Sequence, residues 1–181
     1  MAENLNAGIM LNSTSNQTNN GHIDKYCYNN IEANCEVYGG LYQWREMMQY
    51  VYTPGTKGIC PDGWHLPTDP EYCTLTLFID TTVNCAATGY SGTEVGTKMK
   101  STTGWSGGGN GTNTSGFTAL PGGFSSPYGG FGSLTSRAQF WSSSEYNSST
   151  AWFRFLLNVY QSVYRNFDDK YYGYSVRCLR D

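Results

Sequence analysis

Residues 140–181 set tryptophan, tyrosine and phenylalanine at short intervals among asparagine, serine, aspartate and arginine. The chemistry of such a mixture is non-covalent contact. Tyr and Trp offer large, rigid contact areas at low entropy cost, and Ser and Asn add adaptable hydrogen bonds. Within it, residues 151–157 alternate: on an extended strand Trp152, Arg154 and Leu156 fall on one side and Phe153, Phe155 and Leu157 on the other. A strand with two apolar faces is either sandwiched inside the protein or half displayed at its surface.

Other residue types suggest covalent or metal chemistry, and each has a structural reading beside it. The six cysteines, at 27, 35, 60, 73, 85 and 178, form an even set, which favours three disulfides and an oxidising compartment. Six cysteines allow 15 pairings, so sequence alone does not fix them. Cys27–Cys35 and Cys73–Cys85 are natural short-loop pairs and leave Cys60–Cys178. Chain entropy assigns roughly 3 kcal/mol to the 73–85 loop and roughly 5 kcal/mol to the long one. Zinc is the competing use of these thiols, but there is no Cys-x-x-Cys, and His22 and His65 are unclustered. His22 lies in a polar loop and His65 in a turn motif that suits a structural hydrogen bond, which leaves little for a Ser-His-Asp site. Glu71 has the position of a catalytic acid or, more simply, of a helix cap. Asp168-Asp169 is too little for calcium, which needs six or more oxygen ligands. The glycines after Trp105 lack the Gly-Lys-Ser/Thr ending of a phosphate loop. No metal and no cofactor is expected.

The elements that must position these residues point to an α+β fold. With 181 residues the chain is long enough for one domain with a real core, and 14% charged against 15% aromatic residues, with 22 glycines, argues for short strands and many loops. Residues 1–40 are polar and read as loops pinned by the first cystine. Leu41, Trp44, Met47/Met48 and Val51 recur at helical spacing and predict a helix over 41–51, ended by Pro54 and Gly55. A second helix opens at Thr68, with Glu71 at capping-box spacing, Pro70 in its first turn, and Tyr72, Leu75 and Ile79 as its buried stripe. Residues 89–132 read as loop, folded over the core. Strands follow at 140–144, 151–157, 159–167 and 174–179, with a hairpin turn at 166–170. A net charge of -3 without Lys/Arg runs makes nucleic acid a poor partner. No apolar run approaches the ~18 residues needed to span a bilayer. The first residues carry no charged and apolar signal pattern, so an export signal is expected outside this chain.

Six ordered motifs then carry a resemblance. They are Met1-Ala-Glu-Asn-Leu-Asn6, Tyr38-Gly-Gly-Leu-Tyr-Gln-Trp44, Cys60-Pro-Asp-Gly-Trp-His-Leu-Pro-Thr68, Gly116-Phe-Thr-Ala-Leu-Pro-Gly-Gly123, Phe140-Trp-Ser-Ser-Ser-Glu145 and Tyr174-Ser-Val-Arg-Cys178. Over almost its whole length the chain resembles the Fibrobacter succinogenes major paralogous domain, of the C-type-lectin-like superfamily. The resemblance implies a C-type-lectin-like fold: two helices, a small twisted antiparallel sheet joining the termini, and a long loop-rich insertion. In that fold Cys60–Cys178 makes sense as a staple between mid-chain and the last strand. It also implies an extracellular or cell-surface location in bacteria, or a phage virion, and for some members diversification by a retroelement that mutagenises adenines of Asn codons.

Mapped through that resemblance, Trp152, Arg154, Leu156, Val163 and Arg165 are scaffold, as are Gln161 and Lys170. Tyr146, Asn147, Phe153, Phe155, Asn158, Tyr160, Tyr164, Asn166, Asp168, Asp169, Tyr171 and Tyr172 are the expected display positions, with Phe153 and Phe155 facing outward. The alternative is that they are ordinary half-buried strand and hairpin aromatics. The function expected is binding of a protein or glycan on another cell or virion. A structural surface module stands beside it. The formylglycine-generating enzymes of the same superfamily offer an enzyme reading that would need a free thiol. Calcium-dependent sugar binding lacks its Glu-Pro-Asn or Gln-Pro-Asp motif.

Overall fold

A computed structural model describes residues 3–181 and has an α+β architecture. The chain runs β1 (Ile9–Met10), β2 (Asp24–Lys25), α1 (Glu32–Tyr38), α2 (Trp44–Met47), β3 (Trp64–His65), α3 (Asp69–Ile79), β4 (Gly89–Ser91) and α4 (Val95–Met99). It continues with β5 (Phe124–Ser125), β6 (Phe131–Gly132), β7 (Arg137–Glu145), β8 (Thr150–Leu157), β9 (Val163–Asp169) and β10 (Leu179–Arg180). The main sheet is antiparallel in the order β4-β9-β8-β7. β10 closes on β3, and the Leu5 N–H donates to the Val176 carbonyl at 2.9 Å, so both ends of the described chain meet.

The sheet is covered on both faces, which decides the fate of the two-faced strand. One core packs Phe153, Phe155 and Trp141 against Trp44, Met47, Tyr174 and Val176. The other packs Phe140, Ala138, Leu156 and Val163 against Tyr72, Val95, Met99 and Trp105. β8 is therefore sandwiched.

Several expectations are corrected. The helix over 41–51 shrinks to α2, because Gln49 (φ 49°) and Tyr50 (φ 59°) turn left-handed after it and Leu41 and Tyr42 are drawn into bridges with Tyr26 and Tyr174. Its apolar residues Leu41, Trp44, Met47 and Met48 are still fully buried, but Val51 is exposed. Helices α1 and α4 arise in segments read as loop, so the described residues hold four α-helices rather than two. The stretch 166–170 is no hairpin turn. β9 runs through it to Asp169, because Phe167 and Arg165 are held on Trp152 and Asp69, and the turn lies at residues 158–162. Of the strand expected at 174–179 only the end is in β10; Tyr174 and Ser175 make single bridges to Tyr42 and Phe140.

The helix opening at Thr68 forms as read. The Glu71 N–H donates to Thr68 Oγ1 and the Thr68 N–H to the Glu71 carboxylate (2.8 Å), so Glu71 caps α3. His65 is tied to Asp181 (2.6 Å) and Glu71 (3.0 Å); the hydrogen bond to Asp181 leads in raising its pKa. All six cysteines are paired, as Cys27–Cys35, Cys73–Cys85 and Cys60–Cys178.

Candidate recognition surface

The expected display residues separate into core, turn-holding and exposed side chains. Phe153 (4% exposed) and Phe155 (9%) are core, which overturns their outward assignment. The reason is the second layer: Tyr174 and the α2 segment pack on that face, where Phe153 also meets Trp141 of the neighbouring strand β7 and both rings make aromatic contacts. On the opposite side Arg154 and Leu156 are buried as scaffold, but Trp152 is only half-buried.

Phe155 instead forms the floor of an aromatic cluster on the β4–β9 edge. Tyr90, Tyr164 and Phe155 lie in register across three strands. Ring centroids are 4.4 Å apart for Phe155–Tyr164, 4.8 Å for Tyr164–Tyr90 and 4.3 Å for Tyr90–Tyr160. Tyr90 and Tyr160 are exposed, Tyr164 is half-buried, and Asn166 Nδ2 donates to the Tyr164 hydroxyl at 3.0 Å. Burial, then Tyr160, raises the Tyr90 pKa, so the phenol keeps its proton. Tyr90 lies far from the last residues in sequence, and its short Gly-Tyr-Ser strand carried no signal of this role.

A second cluster forms beside the β7–β8 turn. Tyr146 is exposed and stacks on Phe167 with centroids 3.7 Å apart, and meets Trp152 edge-on at 5.2 Å. Arg165 lies over Trp152 at 3.6 Å while its guanidinium holds Asp69. Near the end of β9, Tyr171 is exposed and Tyr172 is half-buried against Tyr174 and Phe124.

Five of the expected residues, Asn147, Asn158, Asn166, Asp168 and Asp169, bond main-chain groups with their own side chains. Asn147 Oδ1 accepts the Ser149 (2.8 Å) and Thr150 (2.9 Å) N–H groups. Asp169 Oδ1 accepts the Tyr171 N–H, and Asp168 accepts the Asp169 N–H at 2.9 Å and the Tyr174 hydroxyl at 2.6 Å. Burial, with Asp168 second, pushes the Tyr174 pKa well up.

Both turns of the β7–β8–β9 meander are fixed from inside by a lysine. Lys170 Nζ, 2% exposed in its side chain, pairs with Glu145 and donates to the carbonyls of Asn147 (2.9 Å) and Ser148 (3.0 Å). Lys100 Nζ donates to the carbonyls of Leu157 (3.2 Å) and Tyr160 (2.9 Å), and burial lowers its pKa. The glycine-rich segment has a packing reason here. A Cβ on Gly96 would sit 2.5 Å from the Ser162 carbonyl oxygen, and one on Gly109 2.6 Å from that of Asn158. Asn158 Nδ2 reaches the Ser106 carbonyl and hydroxyl at 3.3 Å. We expect Lys170→Met and Lys100→Met each to lower stability by about 2 kcal/mol in denaturant melts, through carbonyls left without donors. Amide exchange should accelerate only in the turn that lost its lysine.

An α+β chain stapled by three disulfides, with tyrosine-rich turns on a doubly covered sheet, defines a compact disulfide-bonded scaffold class. The match of residues 1–180 to the family model of the Fibrobacter succinogenes major domain places the chain in that family. No curated protein and no solved structure matches the chain.

Proposed function

We propose that this domain is a non-catalytic recognition module on a C-type-lectin-like scaffold, with a variable surface diversified by a retroelement. It would engage a protein or glycan on another cell or virion, from the cell surface or a phage particle. The display positions are Tyr146, Asn158, Tyr160, Tyr164, Asn166, Tyr171 and Tyr172, with Tyr90 beside them. Phe153 and Phe155 belong to the core, Asn147 to the β7–β8 turn, and Asp168 and Asp169 to the end of β9.

The observation that carries this reading is how the turns are held. Lys170 and Lys100 grip them through main-chain carbonyls, which any side chain leaves in place. Side chains on those turns other than Asn147 and Asn158, which bond main chain themselves, are then free to change without moving the backbone, which a diversified surface requires. Exposed Tyr with neighbouring Asn is the composition of adaptable paratopes. Three disulfides suit an oxidising, extracellular setting.

The test has two arms. Tyr160→Ser and Tyr171→Ser should each change stability by less than about 1 kcal/mol, as exposed substitutions do. The coding DNA for residues 146–172 should have a nearby near-copy, differing only at adenines, beside a reverse transcriptase gene. Absence of that copy removes diversification. Collapse of the fold in either tyrosine variant removes the display role at that position.

A further inference from the structure

We infer that the cleft between the 16–19 segment and α2 is a binding site for a sugar acid, a single hydroxylated ring bearing a carboxylate. The cleft has a volume of about 280 Å³, just below the roughly 300–1,000 Å³ range of ligand pockets, which leaves room for one ring. Arg45 lines it, and its guanidinium carbon lies 5.9 Å from the centre of the Tyr171 ring.

The carboxylate is argued from Arg45. Its Nε is shielded from solvent and has no hydrogen-bond partner, and among the described residues the guanidinium makes no ion pair. The nearest acid in sequence is already engaged: Glu46 accepts the Asp24 N–H at 2.9 Å and the Tyr50 hydroxyl at 2.7 Å. Lys170, which also lines the cleft, is neutralised by Glu145. A partly desolvated guanidinium without an anion is costly, and a carboxylate accepting from its terminal amino groups offsets that cost.

The hydroxylated ring is argued from the walls. Gln43 spends its carboxamide on Asn16 Oδ1 (3.0 Å) and the Tyr171 carbonyl (3.0 Å), which fixes the two sides of the cleft. Asn16 Nδ2, the Thr18 hydroxyl, the Asn19 carboxamide and the Tyr171 hydroxyl make no hydrogen bond among the described residues, and Asn16, Thr18, Asn19 and Tyr171 all line the cleft. Neutral donors and acceptors beside the Tyr50 and Tyr171 rings suit a ring with hydroxyls on its edge and C–H groups on its face. The site shares only Tyr171 with the proposed display surface, and stands or falls separately from it.

Calorimetric titration of the intact chain with sodium glucuronate, glucose and sodium acetate tests this. Glucuronate should bind with a dissociation constant of about 1 mM, and glucose and acetate at least about tenfold more weakly. Arg45→Gln should lose about tenfold in glucuronate affinity, since a charge-assisted pair becomes a neutral one. In the unsubstituted protein glucuronate should shift the Arg45 Nε–Hε and Tyr171 ring resonances, a readout that does not depend on the variant folding. Equal binding of glucose would overturn the carboxylate, and equal binding of acetate the ring. No saturable binding, or resonance shifts confined to other residues, would overturn the site.

Discussion

Replacing Cys60 and Cys178 together with alanine is expected to lower stability by about 4–5 kcal/mol, more than removing either of the other two disulfides. The bridge closes a loop with a sequence separation of 118, and cutting it restores that loop's freedom to the unfolded ensemble. Both cysteines are buried, so alanine avoids placing a hydroxyl among apolar neighbours. For a chain of this size the melting temperature should fall by about 10–15 °C. The same change at Cys73 and Cys85, with a sequence separation of 12, should cost about 3 kcal/mol. Denaturant melts of the two variants check both the size and the order. A loss below about 1 kcal/mol for the long bridge would mean that the β3–β10 pairing and the Leu5–Val176 bond already close the unfolded chain's equivalent loop.

Asp69→Ala should cost about 3–5 kcal/mol, because it leaves two arginines facing a vacated site. The carboxylate takes Arg154 Nη1 at 2.5 Å and Arg165 Nη2 at 2.7 Å, with the Arg154 side chain 4% exposed. These bonds join α3 to β8 and β9, so the loss should loosen the sheet against its helix. Burial works against ionisation of Asp69, but Arg165 and Arg154 together outweigh it and hold its pKa below the ordinary value. The sign follows. The stabilisation is complete above the unfolded pKa of about 3.9 and is lost as pH falls through the lower folded value. The stability of the unsubstituted protein should therefore drop more steeply below pH 4 than that of Asp69→Ala. Parallel profiles would mean that the triad contributes through shape alone.

Much of the frame was legible locally. Thr68, Pro70 and Glu71 announce the start of α3 because capping chemistry needs only residues three apart. The short-loop cystines follow from proximity along the chain. The core residues of 41–51 were legible too, though their helix was not. Two left-handed residues cut it, and bridges to Tyr26 and Tyr174, remote in sequence, replaced its first turn. The turn at 158–162 was missed for the same kind of reason: it is fixed by Lys100 and by glycines at 96 and 109, which no local pattern connects to it.

The aromatic content of the closing residues, the even cysteine count and the alternation in 151–157 are properties of the sequence by itself. They determine that β8 is extended and that both its faces are apolar. Whether a face meets solvent is a property of what packs on it, and only the tertiary structure decided that both are covered. Trp44 and Tyr174 cover Phe153 and Phe155, and the open edge goes to Tyr90, Tyr160 and Tyr164. Periodicity sorts side chains into two sets but does not say whether one or both are buried; that rests with the neighbouring layers, and here both sets are.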